Sequence, residues 1–366
     1  MPPHHPSEID WGEMVLPPPP PRPIPPELAA QVRAAFSTVP SWTYSLLWCP
    51  WVLEAMLAGI LVPLDYIDPN LVGLVRLVIA QDNSCRYCYG TARAFLRILG
   101  YSEEFVRVLE HDLLRADLDP ARRAVLDYAR LVSRANPRPG DGQRQHLRQL
   151  GHSDRSVDEF TAYAAIWVME TRITTLGAIP PSPVEELPDR WWMKLLRPLA
   201  AGKLRRDERN VPLAVVDPAR RIAVFDDLVG VLGDLPVARN VRKIVDLAFG
   251  DGPLPRRTRV ILTAVICRAL GCDTTQRILG ALLGPGDPDW PALDAMLTRL
   301  DADWLDDRER LLIPIARETA RVTQQPRLLQ RRMLDLRAHV TPAEFIDFIG
   351  VVSTANMLGR LGVLLP

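Results

Sequence analysis

Asp82-Asn83-Ser84-Cys85-Arg86-Tyr87-Cys88 is the stretch on which the reading of the fold turns. Before it runs a helical segment, Leu71 to Gln81; after it an amphipathic segment continues to about Leu99 and stops at Gly100. Asp82-Asn83-Ser84 reads as the break between two helices, with Asn83 or Ser84 as N-cap of the second. That register predicts Cys85 and Cys88 in the first helical turn. Residues three apart share a helix face, so the two sulfurs can meet.

Outward from this point the helical signals continue. Ser102 precedes Glu103 and Glu104, where a helix N-terminus favours acids, and Leu126, Ala129 and Leu131 continue a periodic pattern behind Arg122 and Arg123. Strand signals are weak: Asp251-Gly252 sits between helical patterns rather than between β-branched runs. The 35 prolines gather at 17–26, 180–198 and 253–291, where they punctuate helices. The fold class expected is all-α.

A second pattern organises the chain. Leu118-Asp119-Pro120-Ala121-Arg122-Arg123 resembles Leu305-Asp306-Asp307-Arg308-Glu309-Arg310, about 187 residues on, and Ala129-Arg130 falls on Ala316-Arg317. Ser156 to Phe160 matches Thr341 to Phe345; both read as capping boxes with Glu at the third helical position, and both lead into apolar helices ending Leu176-Gly177 and Leu361-Gly362. Cys49-Pro50 to Cys85 spans nearly the same distance as Leu235-Pro236 to Cys272. The expected division is a proline-rich arm (1–26), a first helical domain (27–180), a linker (181–218) lying along the surface and pinned by Trp191 and Trp192, and a second helical domain (219–366). The arm reads as flexible or polyproline-like, with Trp11 and Met14 as apolar docking points.

Composition narrows the classes of function. Of 366 residues nearly half are apolar, enough for a core in each half, and 44 Lys and Arg balance 44 Asp and Glu. A neutral chain gains little from a phosphate backbone, so nucleic acid is not an expected partner. The longest apolar run, Leu71 to Ala80, is broken by Arg76, so no membrane partner is expected. The N-terminus has no basic region ahead of an apolar one, and the expected location is the cytoplasm. Five cysteines in a large cytosolic protein do not form a disulfide scaffold; a close pair there is redox-active, structural or metal-binding.

For Cys85 and Cys88 all three readings stay open on the residues alone. A helix N-terminus stabilises a thiolate, with Arg86 adding to this and Asp82 opposing it. One thiolate with a resolving thiol beside it is what dithiol exchange needs. Zinc would require two more ligands, and the only other close cysteines are Cys267 and Cys272 in the other half. Cys49, Cys267 and Cys272 read as small buried hydrophobes, and Trp42, Trp48 and Trp51 as core or interface.

The order helix, break, Cys-x-x-Cys, helix ending Ile98-Leu99-Gly100-Tyr101-Ser102-Glu103-Glu104, then Leu118 to Ala129, resembles the alkylhydroperoxidase D-like/carboxymuconolactone decarboxylase family. The resemblance covers about 45–178 well and 231–366 more weakly. It implies two tandem all-helical domains with a degenerate second half, no cofactor, no metal, and a homo-oligomer. It also implies peroxide or disulfide reduction through Cys85 and Cys88, Cys88 attacking and Cys85 resolving, with electrons from a thioredoxin-like or lipoyl partner. Tyr87 stands between the cysteines where redox members often carry His. Gly73 stands where those members carry a Glu, and Ala92 where they carry a second His. The dithiol thus lacks the family's proton relay, and Tyr87, Tyr89, Asp82, Arg93 and Glu54 are the candidate substitutes. The second-half counterparts Val260, Cys272, Thr275 and Leu279 predict a silent site. Two alternatives accompany the thiol oxidoreductase: a non-redox decarboxylase-branch or biosynthetic enzyme, and an inactive binding or scaffold protein.

Overall fold

A computed structural model of the chain describes residues 14–36, 38–321 and 326–364, without the side chains of 208, 209 and 274–277. The described residues form helices and no strand, as expected. Helices α1 (Pro26–Phe36) and α2 (Trp42–Ser45) lead into a first set: α3 (Pro50–Ile60), α4 (Pro69–Asp82), α5 (Arg86–Leu99), α6 (Glu103–His111), α7 (Pro120–Arg134), α8 (Asp141–Gln149) and α9 (Asp154–Leu176). A 3-10 stretch, Pro183–Asp189, precedes α10 (Trp191–Arg209) and the short α11 (Asp226–Gly230). A second set follows: α12 (Pro236–Ala248), α13 (Arg256–Ala269), α14 (Asp273–Gly280), α15 (Trp290–Arg299), α16 (Asp307–Thr319), α17 (Pro326–Arg337) and α18 (Pro342–Leu361).

The two sets repeat one order of packing. Helix α4 lies on α5 and α7, and α7 on α9; likewise α13 lies on α14 and α16, and α16 on α18. The two long helices α9 and α18 pack on each other at the centre and are buried on nearly every face. A helix apolar all round belongs inside a larger body. The side-by-side contact extends to α3 and α12, where the Asn240 amide donates to the Ala58 and Leu61 carbonyls (2.7 and 2.8 Å) at the end of α3.

Two polar clusters lock the halves together. Asp347 on α18 is fully buried and accepts from Arg259 (2.7 Å), the Leu254 N–H (2.6 Å) and the Trp51 indole (2.8 Å) across the seam. At the far end of the central pair, three arginines meet helix carboxyl ends. Arg360 donates to Ser133 O (2.9 Å), Arg172 to Arg321 O (2.6 Å) and Arg138 to Gly271 O (2.5 Å), just where α7, α16 and α13 stop. The negative ends of those helix dipoles favour the cations, of which Arg172 and Arg360 are buried.

Several local expectations are corrected. Thr341 and Glu344 form the expected capping box, but Ser156 and Glu159 do not. Ser153 caps α9 one turn earlier, so Ser156 already lies inside the helix. Glu159 is thereby free to accept the N–H groups of Asp65, Tyr66 and Ile67 (2.8, 2.7 and 3.1 Å) ahead of α4. The arm is docked from Met14 onward. Val15 and Leu16 are buried, their N–H groups bond to Gly177 O (3.1 and 3.3 Å), and Trp48 donates to Pro18 O (2.7 Å). Trp11 lies outside the described residues. Segment 181–218 is mostly helical, and its tryptophans do not pin it: Trp191 is 75% exposed, with Leu195 and Leu199 at 73% on the same face of α10. Its anchors are ionic instead, because α5 presents arginines to it.

Candidate functional site

The turn between α4 and α5 places both cysteines. Ser84 takes the left-handed conformation (φ 50°), and the Asn83 amide is engaged by Ile79 O and Ser133 Oγ (both 2.9 Å). Neither residue therefore caps α5, contrary to the sequence reading. Cys85 is itself the N-cap, and its sulfur accepts the Cys88 N–H at 3.2 Å. Capping by a side-chain acceptor satisfies one of the orphan N–H groups of the first turn. A sulfur in that role is favoured as the thiolate.

The second partner comes from α9. Thr174 Oγ1 lies 2.9 Å from Cys85 Sγ and 3.1 Å from Cys88 Sγ, so one hydroxyl bridges the dithiol. Both sulfurs are buried. For Cys85, burial pushes the thiol up, but hydrogen bonds from Cys88 and Thr174 outweigh it and hold the pKa below the ordinary cysteine value. For Cys88, burial comes first, and donation to Cys85 together with its charge pushes the thiol further up. The two environments thus move the thiols apart, Cys85 down and Cys88 up. The family resemblance implies that Cys88 attacks and Cys85 resolves; in this structure the thiol moved downward is Cys85, the residue that caps α5.

Of the five candidate relay residues, only Tyr87 stands beside the sulfurs. Its ring packs edge-on against Trp42 (5.8 Å between centroids), its hydroxyl bonds to Ser182, and burial and the neighbouring thiols raise its pKa. It is therefore a neutral donor. Asp82 is buried on Arg134 (2.6 Å), and Tyr89 donates to Glu110 (2.7 Å), with Arg93 on Glu103 and Glu110. Glu54 is half-buried on α3 and makes none of the hydrogen bonds or ion pairs seen among the described residues.

The carboxyl that the structure does bring to the dithiol is Glu170, one turn before Thr174 on α9. It is buried, and neither of its oxygens has a hydrogen-bond partner. Burial drives its pKa well up; Arg76 opposes this and Cys85 adds to it. Its carboxyl occupies the space above Gly59 of α3, where a Cβ would sit 2.0 Å from Oε1. Sequence reasoning missed it because it looked near the motif along the chain. The one available signal was an acid directly after the uncharged run Phe160 to Met169, four residues before Thr174.

A strap closes the outer side of α5. Glu185 of the 3-10 stretch pairs with Arg86 (2.8 Å) and lies over Gly90, Asp189 pairs with Arg97 (2.8 Å), and Arg205 of α10 reaches Leu99 O (3.1 Å). A cleft of about 210 Å³ between α5, α6, the strap and α10, lined by Arg97, Tyr101, Glu103, Met193 and Lys194, contains neither sulfur.

In the second set Cys272 again stands at the N-cap position of a helix, α14, though its sulfur accepts no cap bond there, and it is buried, as are Cys267, Val260 and Leu279. The Thr275 side chain lies outside the described residues. Counting onward from Glu344 as from Glu159, the places of Glu170 and Thr174 are taken by Ala355 and Gly359. At these two α18 positions the second half thus has neither the hydroxyl nor the carboxyl of the first. Among the described residues no group of three or more His, Cys, Asp or Glu is placed to hold a metal ion.

No family model matches the chain, and no curated protein matches it. Solved structures similar to it include an alkylhydroperoxidase AhpD core protein, peroxidase-related, from Ralstonia eutropha JMP134. That likeness is 22% identical over 48% of this chain and 95% of that one, with a TM-score of 0.43. Another is an uncharacterized peroxidase-related protein from Silicibacter sp. TM1040, 22% identical over 50% of this chain and 95% of that one, with a TM-score of 0.40.

Proposed function

We propose that the chain is a dithiol oxidoreductase that reduces hydroperoxides or disulfides through Cys85 and Cys88. The observation that carries this is the shared hydrogen bond: one buried threonine hydroxyl holds two sulfurs whose proton affinities are driven apart. In the peroxide reaction the Cys85 thiolate attacks the outer oxygen, giving a sulfenic acid and an alkoxide that takes a proton and leaves as the alcohol. The Cys88 thiol then displaces water from the sulfenic acid, leaving a Cys85–Cys88 disulfide. A thioredoxin-like or lipoyl dithiol returns two electrons and two protons. This reading takes the two helix sets as a tandem duplication with a degenerate second half, and keeps the expected homo-oligomer and cytoplasmic location.

The competing reading is that the thiols are structural, and their burial favours it. Reduced protein given one equivalent of an alkyl hydroperoxide, then trapped and mapped by mass spectrometry, separates the two. Formation of the Cys85–Cys88 disulfide with one alcohol released per disulfide is expected. Thiols that stay reduced over hours would refute a redox role. Cys85→Ser should abolish consumption of peroxide.

A further inference from the structure

We propose that Glu170 takes up the proton of the Cys85 thiol and thereby replaces, from a different helix, the relay groups missing around the motif. The proposal deepens the dithiol reading above and rests on it. Three observations converge on this carboxyl. It stands one helical turn from Thr174, on the face of α9 that touches both sulfurs. Both its oxygens are buried without a hydrogen-bond partner, an arrangement that costs stability and that native proteins rarely keep without use. Gly59 leaves open the space that the carboxyl fills; an alanine there would expel it.

The surrounding charges suit the exchange. Arg76 of α4 attracts the ionised carboxylate, and Arg172 of α9 attracts an ionised Cys85. The cap and first turn of α5 contribute Cys85 and Cys88 to this environment, and α3 contributes Gly59. Burial moves the Glu170 carboxyl up while hydrogen bonds move Cys85 down, so one proton can pass between them at little cost. The step balances as a transfer: the Cys85 thiol and the Glu170 carboxylate become thiolate and carboxylic acid. After attack on a hydroperoxide, the same proton is handed to the leaving alkoxide, which departs as the alcohol.

The test uses the reduced full-length protein and needs no turnover, so it stands apart from the peroxide experiment. Ultraviolet thiolate absorbance is titrated against pH in the wild type, Glu170→Gln and Glu170→Asp, and infrared difference spectra compare reduced with oxidised protein. Expected are a fall of at least one pH unit in the thiolate midpoint for Glu170→Gln, because the neutral amide no longer shares a proton with Cys85 or repels its thiolate, a smaller shift for Glu170→Asp, which keeps the charge, and a carboxylic-acid band that changes on oxidation and vanishes in Glu170→Gln. Should Glu170→Gln not fold, Gly59→Ala, which displaces the carboxyl, must move the midpoint in the same direction. A Glu170→Gln titration superimposed on the wild type, or a carboxyl band indifferent to oxidation, would overturn the proposal.

Discussion

Thr174→Val removes the one hydroxyl shared by the two sulfurs and changes almost nothing else. Valine matches threonine in shape and is β-branched like it, so the helix backbone is not asked to move. The carbonyls of Glu170 and Thr171 that Thr174 also contacts (3.1 Å each) belong to the helix itself and keep their ladder bonds. What is lost is a hydrogen bond of 2.9 Å to Cys85, worth roughly 1.5–3 kcal/mol when the acceptor is charged. Spread over one protonation equilibrium, that is a rise of about 1–2 pH units in the Cys85 thiolate midpoint. Below that midpoint the thiolate population falls about 10- to 100-fold, and with it the rate of alkylation at fixed pH. The assay is the pH dependence of iodoacetamide labelling at Cys85, read peptide by peptide, alongside a melting curve. The melting temperature is expected to change by only a few degrees, because no cavity is made. An unchanged labelling midpoint would mean that Thr174 does not hold a thiolate, and the functional reading of the shared hydrogen bond would fail with it.

Three further outcomes follow from the same geometry. Gly90→Ala places a Cβ 1.9 Å from the Glu185 carboxyl and breaks the strap's pair with Arg86; labelling of both cysteines should quicken roughly 3- to 10-fold for a contact worth about 1 kcal/mol, and an unchanged rate would show that the strap does not control access. Arg259→Met leaves the buried Asp347 carboxyl without its cation and should cost about 3–5 kcal/mol, a fall in Tm on the order of 10 °C; a stable variant would show that Trp51 and the Leu254 N–H suffice. Glu170, an acid whose proton affinity is raised on folding, binds its proton more tightly folded than unfolded, so stability falls as pH rises above its unfolded pKa near 4.5. Glu170→Gln should accordingly flatten the decline of Tm with pH above that value, and parallel curves for the two proteins would contradict the burial of an ionisable carboxyl at this place.

Much of the fold was legible in the sequence because helices announce themselves locally. Apolar periodicity, Ser102 ahead of two acids and Gly100 after Leu99 each act within a few residues, and the structure has α5 and α6 where they put them. The repeated order of motifs likewise foreshadowed two matching sets of helices, since segments with the same apolar faces find the same neighbours. The motif itself needed no structure: a spacing of three brings two sulfurs to one helical turn. Capping was read less well. The choice among Asn83, Ser84 and Cys85, or between Ser153 and Ser156, depends on which side chain is already engaged elsewhere, and those partners, such as Ser133 and the backbone of residues 65–67, lie far along the chain.

What only the tertiary structure decided is the chemistry around the dithiol. Thr174 and Glu170 sit nearly ninety residues beyond Cys85 and reach it because α9 runs through the centre of the body, against α5 on one side and α18 on the other. The uncharged run before Glu170 hints at a helix turned inward, but it does not say which group that carboxyl meets. The sequence determined by itself that two thiols stand one turn apart at the start of an amphipathic helix. Which of their proton affinities is lowered, what bridges them and what closes over them was set by long-range packing, because hydrogen bonds and burial act through space and not along the chain.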